Sequence, residues 1–305
     1  MKFWSIDSFL DEKFEVGPCL VEPFYPSHGI GLLHGRQTSG KTQLALTLAR
    51  AITSGSLFLD QFKCEHGPVA YFQVDMPEPL LQDRFRQAPE LWRGLPLYMF
   101  CHPNRINIFN VNSDPTIKAA LETAQQYKPV LTIVDSLRKV HQLEENSSDS
   151  ATKVYGAWKD YLPDSAILFL HHENKPQQGV SYRPPEDKPR GNSAWLDDAD
   201  CGMGLTRTGK HDGNGHMANL VWTKQRAGAQ QAVEKMNLVM DDETLLMRAG
   251  DLTPKQYGYL FLEEAGWEAS QKEFSDHLVK TAKISDRQAR RIYQKLTEEK
   301  VLDMG

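Results

Sequence analysis

Between Gly29 and Met247, apolar runs of strand length alternate with segments whose apolar residues recur at helical spacing. Ile30–Leu33, Val69–Val74, Leu97–Phe100, Val130–Val134, Ala166–Leu170, Met203–Thr206 and Leu220–Thr223 read as strands. Several are apolar without interruption, as strands covered on both faces should be. Thr42–Thr53, Pro79–Arg86, Thr116–Tyr127 and Ala151–Tyr161 read as helices, with Leu44, Leu48 and Ile52 forming one apolar stripe. The alternation predicts an α/β fold around a mainly parallel, twisted sheet. Two stretches interrupt it. Gln142–Ser150 is polar and acidic, and Glu173–Ser193 is a long loop rich in Pro, Gly and charge, of the kind that is functional or mobile in a compact domain.

After Gly250 the pattern changes, and a domain boundary is expected there, giving domains at 1–250 and 251–305. The last segment predicts three helices, each opened by a capping box: Thr253 with Gln256, Ser270 with Glu273, and Ser285 with Gln288. Tyr257, Leu260 and Phe261 give the first an apolar face. Phe274 and Leu278 do so for the second, and Ala289, Ile292, Tyr293 and Leu296 for the third.

Composition adds limits rather than direction. Of 305 residues, 40% are hydrophobic and 25% charged, which suits a globular chain with one sizeable core and a small second domain. No apolar run approaches the roughly eighteen residues that would span a membrane. Acids interrupt the opening MKFWSIDSFLDEKFEV where a secretory leader would be apolar, so a cytoplasmic location is expected. Cys19, Cys64, Cys101 and Cys201 are scattered without CxxC spacing, which argues against a disulfide framework or a zinc site. The net charge of −5 confines any polyanion contact to local basic surfaces.

The strongest chemical signal is Gly35-Arg36-Gln37-Thr38-Ser39-Gly40-Lys41-Thr42, a GxxxxGK[ST] loop between a strand and a helix that begins Thr42-Gln43. Glycines let backbone N–H groups close around phosphate oxygens, and the helix directs its positive end at them. Lys41 offers a point charge to the β- and γ-phosphates of ATP, and the Thr42 hydroxyl is a ligand for Mg²⁺. Leu131-Thr-Ile-Val-Asp135 is an apolar strand ending in an acid, which a parallel sheet brings beside those phosphates as a second Mg²⁺ ligand. Val69–Asp75 is another such strand. Its carboxylate suits orientation of an attacking water, although a plain turn acid fits the spacing equally and Glu78 competes for the role. His171 and His172 close an apolar strand. By alternation one faces inward, and His171 is taken as the hydrogen-bonded structural member. Lys224 and Arg226 stand two apart on a strand and point the same way, as either a solvated basic edge or a pair that neutralises a transferring phosphoryl group.

Together these motifs resemble the RecA-fold P-loop ATPases of the hexameric replicative-helicase group, the plasmid RepA-like and DnaB-like ATPase domains. The resemblance covers roughly Gly17 to Arg248. It aligns Phe72–Arg84 with the family's strand-then-acid segment and so puts the catalytic acid at Asp75, one methylene shorter than the family's glutamate. It also implies that Ile167–Lys175 ends in a γ-phosphate sensor at His172. Arg190–Asp200 resembles the segment leaving the DNA-contacting loop, and Trp222–Gly228 the Lys-Gln-Arg finger, whose Lys224 and Arg226 act on the neighbouring subunit's ATP. The resemblance further implies a homo-oligomeric ring, a hexamer in this group, with loops 142–150 and 173–193 facing single-stranded DNA. The latter loop carries Lys175, Arg183, Lys188 and Arg190 against Glu173, Glu186 and Asp187, with Tyr182 available for stacking, so its charge alone fits a surface loop equally well.

Residues 251–305 resemble a winged-helix or helix-turn-helix module. Arg287, Arg290, Arg291 and Lys295 surround its third helix, and residues 271–305 hold eight basic against six acidic residues. Duplex DNA, or a protein partner, is expected there. The expected activity is an Mg²⁺-dependent ATPase acting on DNA in replication or repair. A recombination mediator or loader without unwinding activity and a nucleotide-dependent DNA-binding regulator are the alternatives.

Overall fold

The computed structural model describes residues 3–12, 17–102, 104–174, 189–211, 215–226, 235–250, 261–262, 269–281 and 284–303. Its strands are β1 (Cys19–Val21), β2 (Tyr25–Pro26), β3 (Ile30–Gly35), β4 (Val69–Gln73), β5 (Leu97–Cys101) and β6 (Leu131–Asp135), followed by β7 (Ala166–His172), β8 (Cys201–His211), β9 (Gly215–Gln225), β10 (Lys235–Asp241) and β11 (Met247–Ala249). The α-helices up to residue 250 are α1 (Ile6–Asp11), α2 (Lys41–Ser54), α3 (Glu78–Arg86), α4 (Pro115–Tyr127), α5 (Ser148–Tyr161) and α6 (Ala194–Asp197).

Among the described residues, nine strands form one sheet in the order β11-β10-β9-β8-β3-β7-β6-β4-β5, while β1 and β2 pair separately. From β8 to β5 every neighbouring pair is parallel, and β8 to β11 run antiparallel to one another. β3 and β6 are wholly buried, as their unbroken apolar sequence requires. Alternate side chains feed two layers. Leu33, Leu168, Ile133 and Tyr71 meet the Leu44–Leu48–Ile52 stripe of α2 on one face. Leu32, Phe169, Val134 and Phe72 meet Ile117 and Leu121 of α4, Trp158 of α5 and Trp195 of α6 on the other. This three-layer arrangement is a RecA-like P-loop fold.

Several boundaries differ from the sequence reading. Ser148 already begins α5, so the polar stretch assigned to 142–150 is a loop only up to Ser147. Strands β8 and β9 extend well beyond 203–206 and 220–223, and α1, β1, β2, β10 and β11 were not anticipated. Past residue 250, the Thr253 cap and most of the first expected helix lie outside the described residues. The helices Gln271–Thr281 and Asp286–Asp303 follow the expected capping boxes. Ser270 N donates to Glu273 Oε2 at 2.8 Å and Glu273 N to Ser270 Oγ at 3.3 Å, a reciprocal pattern that Ser285 and Gln288 repeat. Leu262, Phe274, Leu278, Ala289 and Leu296 bury one another in a cluster of their own.

Candidate nucleotide site

Parallel pairing of β3 with β7 and β8 sets Gly35 opposite both His172 and Leu205, at the carboxyl edge of the sheet. From there the chain turns through Thr38 (φ 63°) and Gly40 (φ 98°) into α2. The left-handed backbone at Gly40 suits a residue without Cβ. At Gly35 a Cβ would stand 2.5 Å from the Leu205 carbonyl oxygen, so the turn closes only around glycine.

One cleft of about 320 Å³ lies over this turn, walled by residues 37–43 with Asp75, Asp135 and His172. Lys41 is buried in it. Its ammonium donates to the carbonyls of Gly35 at 2.8 Å and Arg36 at 3.0 Å. Burial pulls its pKa below the usual lysine value, against the pull of the Asp135, Glu173 and Asp75 carboxylates. Asp135 is buried at the end of β6, and one of its oxygens, Oδ2, accepts from Thr42 Oγ1 at 2.8 Å, Tyr71 Oη at 3.0 Å and Gln73 Nε2 at 3.2 Å. Burial raises its pKa, opposed by the Thr42 and Tyr71 hydrogen bonds. Thr42 and Asp135, ninety-three positions apart, therefore face each other across one hydrogen bond. A hydroxyl and a carboxylate so placed are hard oxygen donors of the kind Mg²⁺ takes alongside phosphate oxygens, and the residues present fit that ion.

Asp75 sits on the rim, 41% exposed, with one oxygen 3.9 Å from Lys139 Nζ. Gln73 holds the turn beneath it, its Oε1 accepting from the N–H groups of Asp75 at 2.8 Å and Met76 at 3.1 Å. His172 is half-buried, and burial followed by the Lys41 charge lowers its pKa. Its neighbour His171 is buried and turned away, with Nε2 2.6 Å from the Arg190 carbonyl oxygen.

Lys224 and Arg226 do not join this cleft. Lys224 pairs with Gly202, which lies level with Leu32 of β3, three residues before Leu205 toward the amino end of β8. Its ammonium donates to the carbonyls of Leu196 at 3.1 Å and Asp197. Arg226 bonds Asp200 Oδ1 at 2.9 Å and the Asp197 carbonyl at 3.2 Å. Burial lowers the pKa of Lys224, with Arg226 beside it adding to the effect.

Sequence reasoning missed part of the site. Tyr71 and Gln73, which position Asp135, are buried on β4 and look like any strand residues. Arg84, Arg207, His216, Met217, Met240 and Met247 also wall the cleft. The last five arrive from the antiparallel half of the sheet, with no local motif to mark them.

The fold and this loop-and-carboxylate site define a P-loop ATPase domain of RecA-like architecture. The chain belongs to the AAA domain family, whose model matches residues 2–178. Its fold is shared with a structure described as the ATPase domain of G40P, at a TM-score of 0.55 and 14% identity over 74% of this chain and 86% of that one. A structure of a DnaB-like replicative helicase and its interactions with primase matches at a TM-score of 0.54 and 15% identity, over 73% of this chain and 57% of that one. Among the described residues, no helix is long and apolar enough to cross a membrane, and no group of His, Cys, Asp and Glu is arranged to hold a metal ion by itself.

Proposed function

We propose that this chain is a ring-forming, Mg²⁺-dependent ATPase that couples ATP hydrolysis to action on single-stranded DNA. The observation that carries the reading is the convergence of Lys41, Thr42, Asp135 and His172 in one cleft over a glycine-gated turn. Backbone N–H groups from Arg36 to Thr42, with Gln43 behind them, bind the phosphates while Lys41 leaves the Gly35 and Arg36 carbonyls for the β- and γ-oxygens. Thr42 and Asp135 would hold Mg²⁺, which when bound would supply charge neutralisation at the phosphates. Asp75 orients water for attack on the γ-phosphorus and accepts its proton as the bond to the β-phosphate oxygen breaks, releasing ADP and phosphate. His172, at the end of β7, reads the γ-phosphate.

Lys224 and Arg226 stand away from their own cleft, which supports a role on the neighbouring subunit's ATP. A closed head-to-tail ring, a hexamer by resemblance, supplies that neighbour at every site. DNA contact is assigned to the loop at 142–147 and to 173–193, of which 175–188 lie outside the described residues, and a second, duplex-directed contact to the helices of 251–305.

The shared site is tested by mixing two variants. Arg226→Ala and Lys41→Ala are each expected to lose ATPase activity, and a mixture is expected to regain part of it by pairing an intact cleft with an intact finger. An Arg226→Ala protein that keeps full activity alone contradicts the shared site.

A further inference from the structure

His34 ends the apolar run of β3 immediately before the phosphate loop, yet it is fully buried. A buried imidazole must find partners, and here they come from two other parts of the chain. Nδ1 lies 3.1 Å from Glu173 Oε1, a carboxylate that is itself only 7% exposed. Nε2 lies 3.4 Å from Thr223 Oγ1. With Glu173 as acceptor, Nδ1 carries the proton and Nε2 accepts the longer, weaker bond from the Thr223 hydroxyl. The room for the ring is built in, because a Cβ at Gly204 would stand 2.8 Å from His34 Cε1.

Each partner lies at a strategic point. Glu173 follows His172 directly, and its N–H donates to the Gly35 carbonyl at 3.2 Å, the same oxygen that accepts Lys41 Nζ at 2.8 Å. Glu173 also forms an isolated bridge with Pro189. Thr223 lies where the β8–β9 register shifts: Gly202 pairs with Lys224 and Met203 with Trp222, leaving Thr223 as an extra residue in β9. Such a bulge re-aims a side chain, and this one sits immediately before Lys224.

We propose that His34 is a positioning residue that couples occupancy of the phosphate loop to the β9 segment carrying Lys224 and Arg226. This rests on the reading given under Proposed function. When ATP draws Lys41 away, the Gly35 carbonyl keeps only the Glu173 N–H. The Glu173 carboxylate, the His34 ring and the Thr223 hydroxyl then carry the adjustment to β9, where Lys224 leaves the carbonyls of α6 for the next subunit. His34 thus makes the delivery of Lys224 and Arg226 to the neighbour depend on the ATP state of its own subunit.

The test compares full-length wild type, Thr223→Val, Thr223→Ser and Glu173→Gln in steady-state ATPase assays over a range of ATP concentrations, with ATP affinity measured separately. Thr223→Val keeps the side-chain shape and removes the hydroxyl. It is expected to lower kcat about tenfold, within the range for coupling between sites, to bring the Hill coefficient to one, and to leave ATP affinity and thermal midpoint unchanged. Thr223→Ser restores the hydroxyl and is expected to recover both kcat and cooperativity. Glu173→Gln keeps an oxygen that accepts from His34 Nδ1, and is expected to preserve the cooperativity that Thr223→Val abolishes. A merely structural role would move thermal midpoint and affinity instead. Thr223→Val with wild-type kcat and Hill coefficient overturns the coupling. A wild type that hydrolyses ATP without cooperativity and sediments as a monomer overturns the shared-site reading, and the coupling with it.

Discussion

Gly35 shows how tightly the site constrains a single position. Because a Cβ there would lie 2.5 Å from both the Leu205 carbonyl oxygen and Ser39 Oγ, Gly35→Ala must displace the first turn of the phosphate loop against β8. ATP affinity is expected to fall at least about tenfold, or about 1.4 kcal/mol, while far-ultraviolet dichroism stays native. Calorimetric titration checks the first and the dichroism spectrum the second. The buried histidines make a different prediction. His171 and His141 both approach Trp195, with ring centroids 5.9 and 5.4 Å away. Burial lowers their pKa values from 6.5 to about 3 and about 4, with Arg138 and Arg105 adding to the effect on His141. The native state therefore keeps both neutral while the unfolded chain takes up protons below about pH 6.5. Stability is complete above that pH and falls as pH drops toward 4, by on the order of 1 kcal/mol per unit for each histidine. Urea midpoints at pH 7 and pH 5 should differ accordingly, and His141→Asn should narrow the difference. Equal midpoints would show that these rings are not held neutral. At this scale the sequence was legible where chemistry is contiguous, as in residues 35–42. It was silent about Tyr71, Gln73 and the His34–Glu173 pair, which depend on which strands lie side by side.

Elements were easiest to read where both faces are covered. The buried parallel strands announce themselves as unbroken apolar runs, and α2 and α4 by their stripes. The antiparallel half is less legible because one face is partly open and its strands mix polar with apolar residues; β10 is the exception, since Met236 to Met240 is interrupted only by Asn237 and was readable. The two-residue β2 and the six-residue α1 are too short to leave a period, and α1 buries none of its residues. Caps were the most local signal and the most dependable. Asp114 extends this to a helix whose cap was not singled out: its Oδ1 accepts from Thr116 N at 3.0 Å and Ile117 N at 3.4 Å, opening α4 with Pro115 at its first position. Asp114→Ala is expected to cost about 1 kcal/mol, seen as a lower urea midpoint with unchanged slope. No loss of stability would mean that Pro115 alone fixes the start of α4.

For the whole molecule, the decisive geometry is the separation of two sets of charged groups along one sheet. Lys41, Thr42, Asp135 and His172 gather at the carboxyl edge, while Lys224 and Arg226 are tied to α6 carbonyls at the other end. The head-to-tail assembly proposed above draws on this separation, since it would let the next copy complete each site. The order of motifs made this arrangement legible in outline, since a strand-end acid and a strand-end histidine behind a phosphate loop must meet in a parallel sheet. The most direct measurement is retention of ATP with Mg²⁺ by purified wild-type protein and by Lys41→Ala. Saturable binding by the wild type and loss of most of that affinity in the variant are expected. Equal retention by both, or none by either, would contradict the assignment of this loop as the phosphate site.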